Sequence, residues 1–300
     1  MRLLLDMINW SFYNKSLVRR GEVILDFDVI DSWYSELDLM NDGKRGGQYH
    51  YPDSFIQLLG YMRVYFHLPY RQAEGVVIAH AGNKKIPSIP NYSTINRRIN
   101  NQDIRISERH EVGNDDDDII IALDSTGIKV ANRGEWIRHK WHVRRGYLKI
   151  HVAVNIKNKK IISLEVTSEE VHDGMMLRKL IDNASANNNV KGALADGMYD
   201  SNKNFRYLSK NHIKPGIKTR SNSKVKPTNC HARNMSVMRQ QTNLKRWKHS
   251  VSYGQRWMAE TVFSSIKRTF GEYVTARKFQ NMAKEMLLKA SLYNMFAIGM

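Results

Sequence analysis

The 300-residue chain has one cysteine, Cys230. A single thiol excludes an internal disulfide framework and any zinc cluster built on several cysteines. The simplest setting is a reducing one, the cytoplasm. No run of about 18 or more apolar residues occurs, so no membrane-spanning helix is expected. Met1 to Phe12 carries a short apolar stretch broken by Asp6 and lacks a clear cleavage site, so it does not read as a signal peptide. The most informative shortage is of acid. From Ser201 to Ala259 there is no Asp or Glu, while fourteen Lys or Arg fall in the same stretch. The formal net charge is +18, which points to a polyanionic partner. Nucleic acid is the first candidate, a membrane surface the weaker one.

The opposite charge is concentrated at Asp115-Asp116-Asp117-Asp118, after Glu111-Val112-Gly113-Asn114. Such a run is a solvated linker in its ordinary reading, and it carries no chemistry here. It marks a boundary, giving a mainly helical region at 1–113 and a second domain at 114–300. The apolar run Ile119 to Leu123 has strand length and β-branched residues. Tyr147 to Asn155 alternates, with Leu148, Ile150, Val152 and Val154 on one face. Ile161 to Thr167 is a third strand, after a turn at Lys157 to Lys160. Asp173 or a neighbour caps a helix through Met176, Leu177, Leu180 and Ile181. A short strand at Gly192 to Ala195, a helix at Asn202 to Lys210 and a strand near Pro215 to Lys218 follow, then a final helical region. The expected fold class is α/β: a mixed central sheet flanked by helices, in ribonuclease-H-like order, with a mainly helical N-terminal region.

Three acids hold places where chemistry gathers. Asp124 follows the first expected strand and Asp196 follows the fourth, and strand ends converge on the crevice of an α/β sheet. Each alone is a turn or cap residue in its ordinary reading. Together they would repel one another without a cation. Two divalent ions about 3.5–4 Å apart would make them a phosphoryl-transfer site, with oxygen ligands suited to Mg²⁺ or Mn²⁺. Glu260 is the third acid. On a helix from Tyr253, Arg256 falls at about −60°, Glu260 at about −20° and Lys267 at about −40°, one narrow stripe. Ala259, Phe263, Ile266 and Phe270 lie beside it and face a core. The plain alternative is an Arg256–Glu260 surface pair at i, i+4.

The spacing Tyr253-x2-Arg256-x3-Glu260-x6-Lys267 resembles the Tyr-Arg-Glu-Lys signature of DDE transposases of the insertion-sequence 4 and 5 group. Asp124-Ser125-Thr126-Gly127-Ile128-Lys129 resembles that family's first-Asp block, and Ala195-Asp196-Gly197-Met198-Tyr199-Asp200 its second. His172-Asp173-Gly174 is also similar to a family motif, with a helix cap as an equally good reading. The resemblance spans about residues 50 to 300. It implies a ribonuclease-H-like domain with Asp124, Asp196 and Glu260 as catalytic metal ligands. It further implies that Tyr253, Arg256 and Lys267 grip the transposon end. Arg256 and Lys267 suit phosphate; Tyr253 suits a hydrogen bond or a base stack. A large β-rich insertion does not fit between Lys218 and the catalytic helix.

The N-terminal region shows Phe55, Leu58, Leu59, Met62 and Phe66 at helical spacing. Pro69 can open a second helix and Ser93 can cap a third. Two of these could form a helix-turn-helix-like DNA reader, with Thr94, Asn96, Arg97 and Arg98 as contacts. A plain supporting bundle or a dimer interface is the equal alternative. The expected function is metal-dependent cleavage at element ends and strand transfer into target DNA, by a homo-oligomer assembled on double-stranded DNA and nucleoid-associated through it. The alternatives are a nuclease without strand transfer and a transposase-derived DNA-binding regulator.

Overall fold

A computed structural model describes residues 10–24, 27–84, 86–104, 106, 118–131 and 146–297. Asp115 to Asp117 of the acidic run lie outside them. The chain divides into two compact units, Met1–Arg105 with Lys278–Met300, and Ile106–Arg277.

The first unit contains helices α1 (Trp10–Ile24), α2 (Trp33–Asn41), α3 (Asp53–Tyr65), α4 (Tyr70–Lys84) and α5 (Tyr92–Asn101). Helix α3 is its centre, because Phe55, Ile56, Leu58, Leu59, Tyr61 and Met62 are all buried. Trp33 packs against Phe55 with ring centroids 4.9 Å apart. Phe66, expected in the same apolar series, is the C-cap and is exposed. Helix α5 begins earlier than its Ser93 suggests. Asn91 is the cap, accepting the Thr94 N–H at 2.8 Å, which satisfies an otherwise unpaired first-turn donor.

The second unit is built on a mixed sheet. Its elements are β1 (Ile119–Val130), β2 (Tyr147–Asn155), β3 (Ile161–Ser168), α6 (Asp173–Ser185), β4 (Val190–Ala195), α7 (Asn202–Lys210), β5 (Lys214–Ile217), α8 (His231–Thr242), α9 (Leu244–Ser250), α10 (Trp257–Phe270) and β6 (Tyr273–Val274). The strand order is β3-β2-β1-β4-β5, with β6 paired to the far end of β1. The β1–β2 and β2–β3 pairs are antiparallel. The β1–β4 and β4–β5 pairs are parallel. This is the ribonuclease-H-like arrangement. On one face, Ile119, Ile121, Leu123, Ala153, Ala193 and Ala195 pack with Leu177, Leu180 and Ile181 of α6 and Phe205 and Leu208 of α7. The segment from Lys218 to α10 contains helices α8 and α9 and no strand among the described residues.

The last helix, α11 (Phe279–Ala297), belongs to the first unit, although 114–300 was expected to be one domain. It packs on α3 and α1, with Met282, Met286, Leu288 and Leu292 buried. Its buried Glu285 and Lys289 lie 3.5 Å apart, and Arg63 of α3 lies 3.7 Å from Glu285. Those charges are compensated by a residue more than two hundred positions away, which helical periodicity does not reveal. No helix among the described residues is long and apolar enough to cross a membrane.

Candidate active site

Strand pairing aligns the first two acids. In the parallel β1–β4 ladder, Ile121 stands opposite Ala193 and Ala122 opposite Leu194. Asp124 and Asp196 are each two residues beyond the last of these pairs. Asp124 is within β1, not after it as expected, because antiparallel pairing to β2 continues through Lys129↔Tyr147. The parallel neighbour β4 stops at Ala195, so Asp124 sits beside the end of one strand and inside another. Its Oδ1 accepts the Ser125 N–H at 2.9 Å. Asp196 caps the 3-10 turn Gly197–Tyr199, accepting the Met198 N–H at 2.9 Å.

Helix α10 supplies the third acid. Its Ala259, Val262, Phe263, Ile266 and Phe270 are buried, the flank predicted to face a core. The continuous helix expected from Tyr253 is interrupted. Tyr253–Arg256 form a 3-10 turn, and the α-helix starts at Trp257. Ser252 enters with φ +55, and Gly254 is a poor helix former. Tyr253 packs on Trp247, ring centroids 5.1 Å apart, and stays beside Arg256, within electrostatic reach of Asp124 and Asp196. The other three members keep their relation. Arg256 Nη1 donates to Asp124 Oδ2 at 3.3 Å, and Arg256 Nη2 donates to Glu260 Oε1. Lys267 Nζ donates to Thr126 Oγ1 at 2.9 Å, two residues along β1 from Asp124.

The electrostatics follow from this crowding. Burial pushes the Asp124 carboxyl above its ordinary value, and the nearby charges of Asp196 and Glu260 add to the shift. The Ser125 N–H and the Arg256 guanidinium oppose it without cancelling it. Burial works against the charge of Arg256, yet Asp124, Tyr253 and Glu260 together hold its affinity for a proton above normal. Burial also raises the Tyr253 phenol. Asp124 and Glu260 are thus held by one cation, Arg256, and their carboxylate oxygens are of the type that a hard divalent ion takes. Among the described residues, no group of three or more His, Cys, Asp or Glu is gathered closely enough to hold a metal. Arg256 is the cation that Asp124 and Glu260 share. Beside them lies a cleft of about 530 Å³ lined by Asp124, Thr126, Glu260, Ser264, Lys267 and Arg268, among others.

Residues 115–295 match the family model described as "Transposase DDE domain", and residues 18–133 match a second model of the same description. The chain belongs to the Transposase DDE domain family. Similar solved structures are distant. One is a chain of the simian T-cell lymphotropic virus intasome in complex with PP2A regulatory subunit B56 gamma. It is 13% identical over 67% of this chain and 65% of that chain, with a TM-score of 0.27. Another is the Drosophila P element transposase strand transfer complex. It is 14% identical over 90% of this chain and 70% of that one, with a TM-score of 0.31. The present chain thus spans less than two thirds of the first.

Within this DDE-domain chain, several site neighbours were not singled out from sequence. Thr126 holds Lys267, and Ser264 and Arg268 line the cleft. Their helical spacing from Glu260 was the available signal for the last two. Of the acid-free segment, Lys218, Lys224, Lys226, Lys245, Arg246 and Lys248 are exposed. Arg233 is not part of that surface. It makes a bidentate pair with the buried Asp200, at 2.7 and 2.9 Å, and Ser223 joins it at 2.9 Å. In the first unit Arg97 is exposed. Arg98 is turned inward, 2.6 Å from Asp53 and over the Tyr49 ring at 4.6 Å.

Proposed function

We propose that the protein is a transposase that cuts DNA at the ends of its element and joins the resulting 3′-hydroxyl to target DNA. In this reading Asp124, Asp196 and Glu260 are one site for two divalent ions of the Mg²⁺ or Mn²⁺ kind. The observation that carries it is the single guanidinium shared by Asp124 of β1 and Glu260 of α10, with Asp196 level with Asp124 at the end of the neighbouring strand. When bound, the ions supply activation of the attacking oxygen and neutralise charge at phosphorus. Arg256, which pairs with Asp124 and Glu260, would be the cation offered to a DNA phosphate. Lys267, steadied by Thr126, contacts a second phosphate, and Tyr253 offers its ring or hydroxyl to the end of the element. The exposed lysines between β5 and α10 hold the flanking duplex. Arg97 of α5 is a further candidate DNA contact. A homo-oligomer assembles on the DNA and brings two ends together.

The test is a plasmid strand-transfer assay with element-end DNA and Mg²⁺ or Mn²⁺. Joined products support the reading. Hydrolysis without joining would instead identify a nuclease, and binding without either would identify a DNA-binding regulator.

A further inference from the structure

We propose that Gly174 and Asn204 are positioning residues that hold the loop carrying Asp196, with His172-Asp173-Gly174 as its seat. The proposal rests on the reading of Asp196 as a metal ligand. It gives a role to a motif that the site itself does not use.

The closest approach is at Gly174, in the first turn of α6. A Cβ built there would lie 2.8 Å from the carbonyl oxygen of Met198. Real Cβ atoms do not approach a backbone oxygen so closely, so only glycine lets the loop settle at this height. Met198 is the residue whose N–H is accepted by the Asp196 carboxylate. The loop is therefore touched at the residue whose N–H the acid accepts, two positions along the chain from Asp196.

Asn204 locks the same junction. It is 5% exposed. Its amide donates to the carbonyl of Gly174 at 3.0 Å and to that of Tyr199 at 2.9 Å. One side chain thus joins the start of α6 to the end of the 3-10 turn. Asn204 is itself fixed, because its N–H is capped by Ser201 Oγ at 3.2 Å. His172 completes the turn into α6 by accepting the Gly174 N–H at 3.2 Å.

The seat is tied in turn to the strand that pairs with Asp124. Lys149 Nζ of β2 lies 3.0 Å from Asp173 Oδ1 and donates to the Val171 carbonyl at 3.0 Å. His151 of β2 stands opposite Ser125 in the ladder, and its Nδ1 lies 3.8 Å from Asp173 Oδ1. A connected route runs from β1 and β2 through Asp173, Gly174 and Asn204 to the turn after Asp196. It fixes the spacing of two acids that come from different strands. The opposite side of the turn is held separately, by Arg220 Nε on the Gly197 carbonyl at 3.2 Å and by the Asp200–Arg233 pair. Removing the seat alone therefore leaves the other clasp in place. Partners that orient metal ligands contribute about 10–100-fold to metal affinity or activity when lost.

The experiment compares Asn204→Ala, Asn204→Asp and Gly174→Ala with wild type, Asp196→Ala and the exposed control Arg178→Ala in the full chain on end DNA. Four readouts are taken: Mn²⁺ affinity by electron paramagnetic resonance, hydrogen exchange of residues 196–200, thermal melting, and cleavage against Mn²⁺ concentration. The seat variants are expected to weaken Mn²⁺ binding at least about 10-fold and to speed exchange in the loop. They should remain folded, and high Mn²⁺ should recover cleavage. Asp196→Ala should lose both Mn²⁺ affinity and cleavage at any concentration. Folded seat variants with Mn²⁺ affinity within twofold of wild type would overturn the positioning role while leaving the metal site standing. Failure of both Asn204 variants and the Gly174 variant to fold would also overturn it, since the residues would then serve stability alone. An Asp196→Ala protein with undiminished Mn²⁺ affinity and cleavage would overturn the metal-site reading itself, and the seat with it.

Discussion

Replacing Arg256 with alanine removes the cation that Asp124 and Glu260 share, and the structure sets the size of the effect. The Arg256 and Asp124 side chains are 21% and 19% exposed. A hydrogen bond between charged groups at such a site contributes about 1.5–3 kcal/mol. The contact to Glu260, whose side chain is 57% exposed, adds only about 0.3–0.5 kcal/mol. Losing a half-buried guanidinium also removes its desolvation cost, so the expected net loss is about 2 kcal/mol at neutral pH. For a unit of this size that is a fall of about 4–8 °C in Tm. The assay is thermal melting followed by circular dichroism, in EDTA and again in Mn²⁺. Two carboxylates left without their cation should bind Mn²⁺ more readily, so the ion should stabilise Arg256→Ala more than wild type. A Tm within about 1 °C of wild type in EDTA would refute the shared ion pair. Equal stabilisation of both proteins by Mn²⁺ would refute the idea that Asp124 and Glu260 form part of one cation site.

Three further outcomes are expected. Burial, with a contribution from Lys149 and against the pull of Asp173, lowers the pKa of His151 to about 4 from an ordinary 6.5. The unfolded chain therefore binds a proton that the folded one refuses between those values. That stability is fully present above about pH 6.5 and is lost as pH falls toward 4, by about 3 kcal/mol. His151→Gln should flatten this part of the urea-midpoint profile, and an unchanged slope would contradict it. At Gly216 an added Cβ would lie 2.4 Å from Leu194 Cδ2 and 3.2 Å from the Ala193 carbonyl oxygen. Gly216→Ala should cost about 1–3 kcal/mol by urea unfolding, and a neutral result would show that β4 and β5 are not packed as described. Lys267→Ala should weaken DNA binding similarly on all sequences and reduce the salt slope by about one. A sequence-dependent loss at constant slope would argue against a phosphate contact.

The residues that announced the fold did so through local pattern. Ile119 to Leu123 and the alternation from Tyr147 to Asn155 gave β1 and β2 because a half-buried strand leaves a period-two trace. What stayed hidden depends on partners distant in sequence. Asp124 was expected after a strand because the apolar run ends there, yet pairing with β2 carries β1 on to Val130. The Tyr253 stripe assumed one continuous helix, whereas the positive φ of Ser252 begins a 3-10 turn. Arg256, Glu260 and Lys267 were nonetheless legible, since they follow helical spacing. Arg98 reads as a candidate DNA contact and Arg233 as part of a basic stretch, yet each pairs with an acid distant in sequence, Asp53 and Asp200. The last helix looked like part of the second domain because nothing in its own pattern names α3 as its neighbour.

The central claim is that Asp124, Asp196 and Glu260 act as one metal site for cutting and joining DNA. The most direct measurement is a single-turnover reaction of wild type and the three single alanine variants on labelled element-end DNA with Mn²⁺, with DNA binding measured in parallel. The account predicts cleaved and joined products from wild type. It predicts that each variant binds the end with near-normal affinity and yields neither product. Cleavage retained by any one of the three would contradict it.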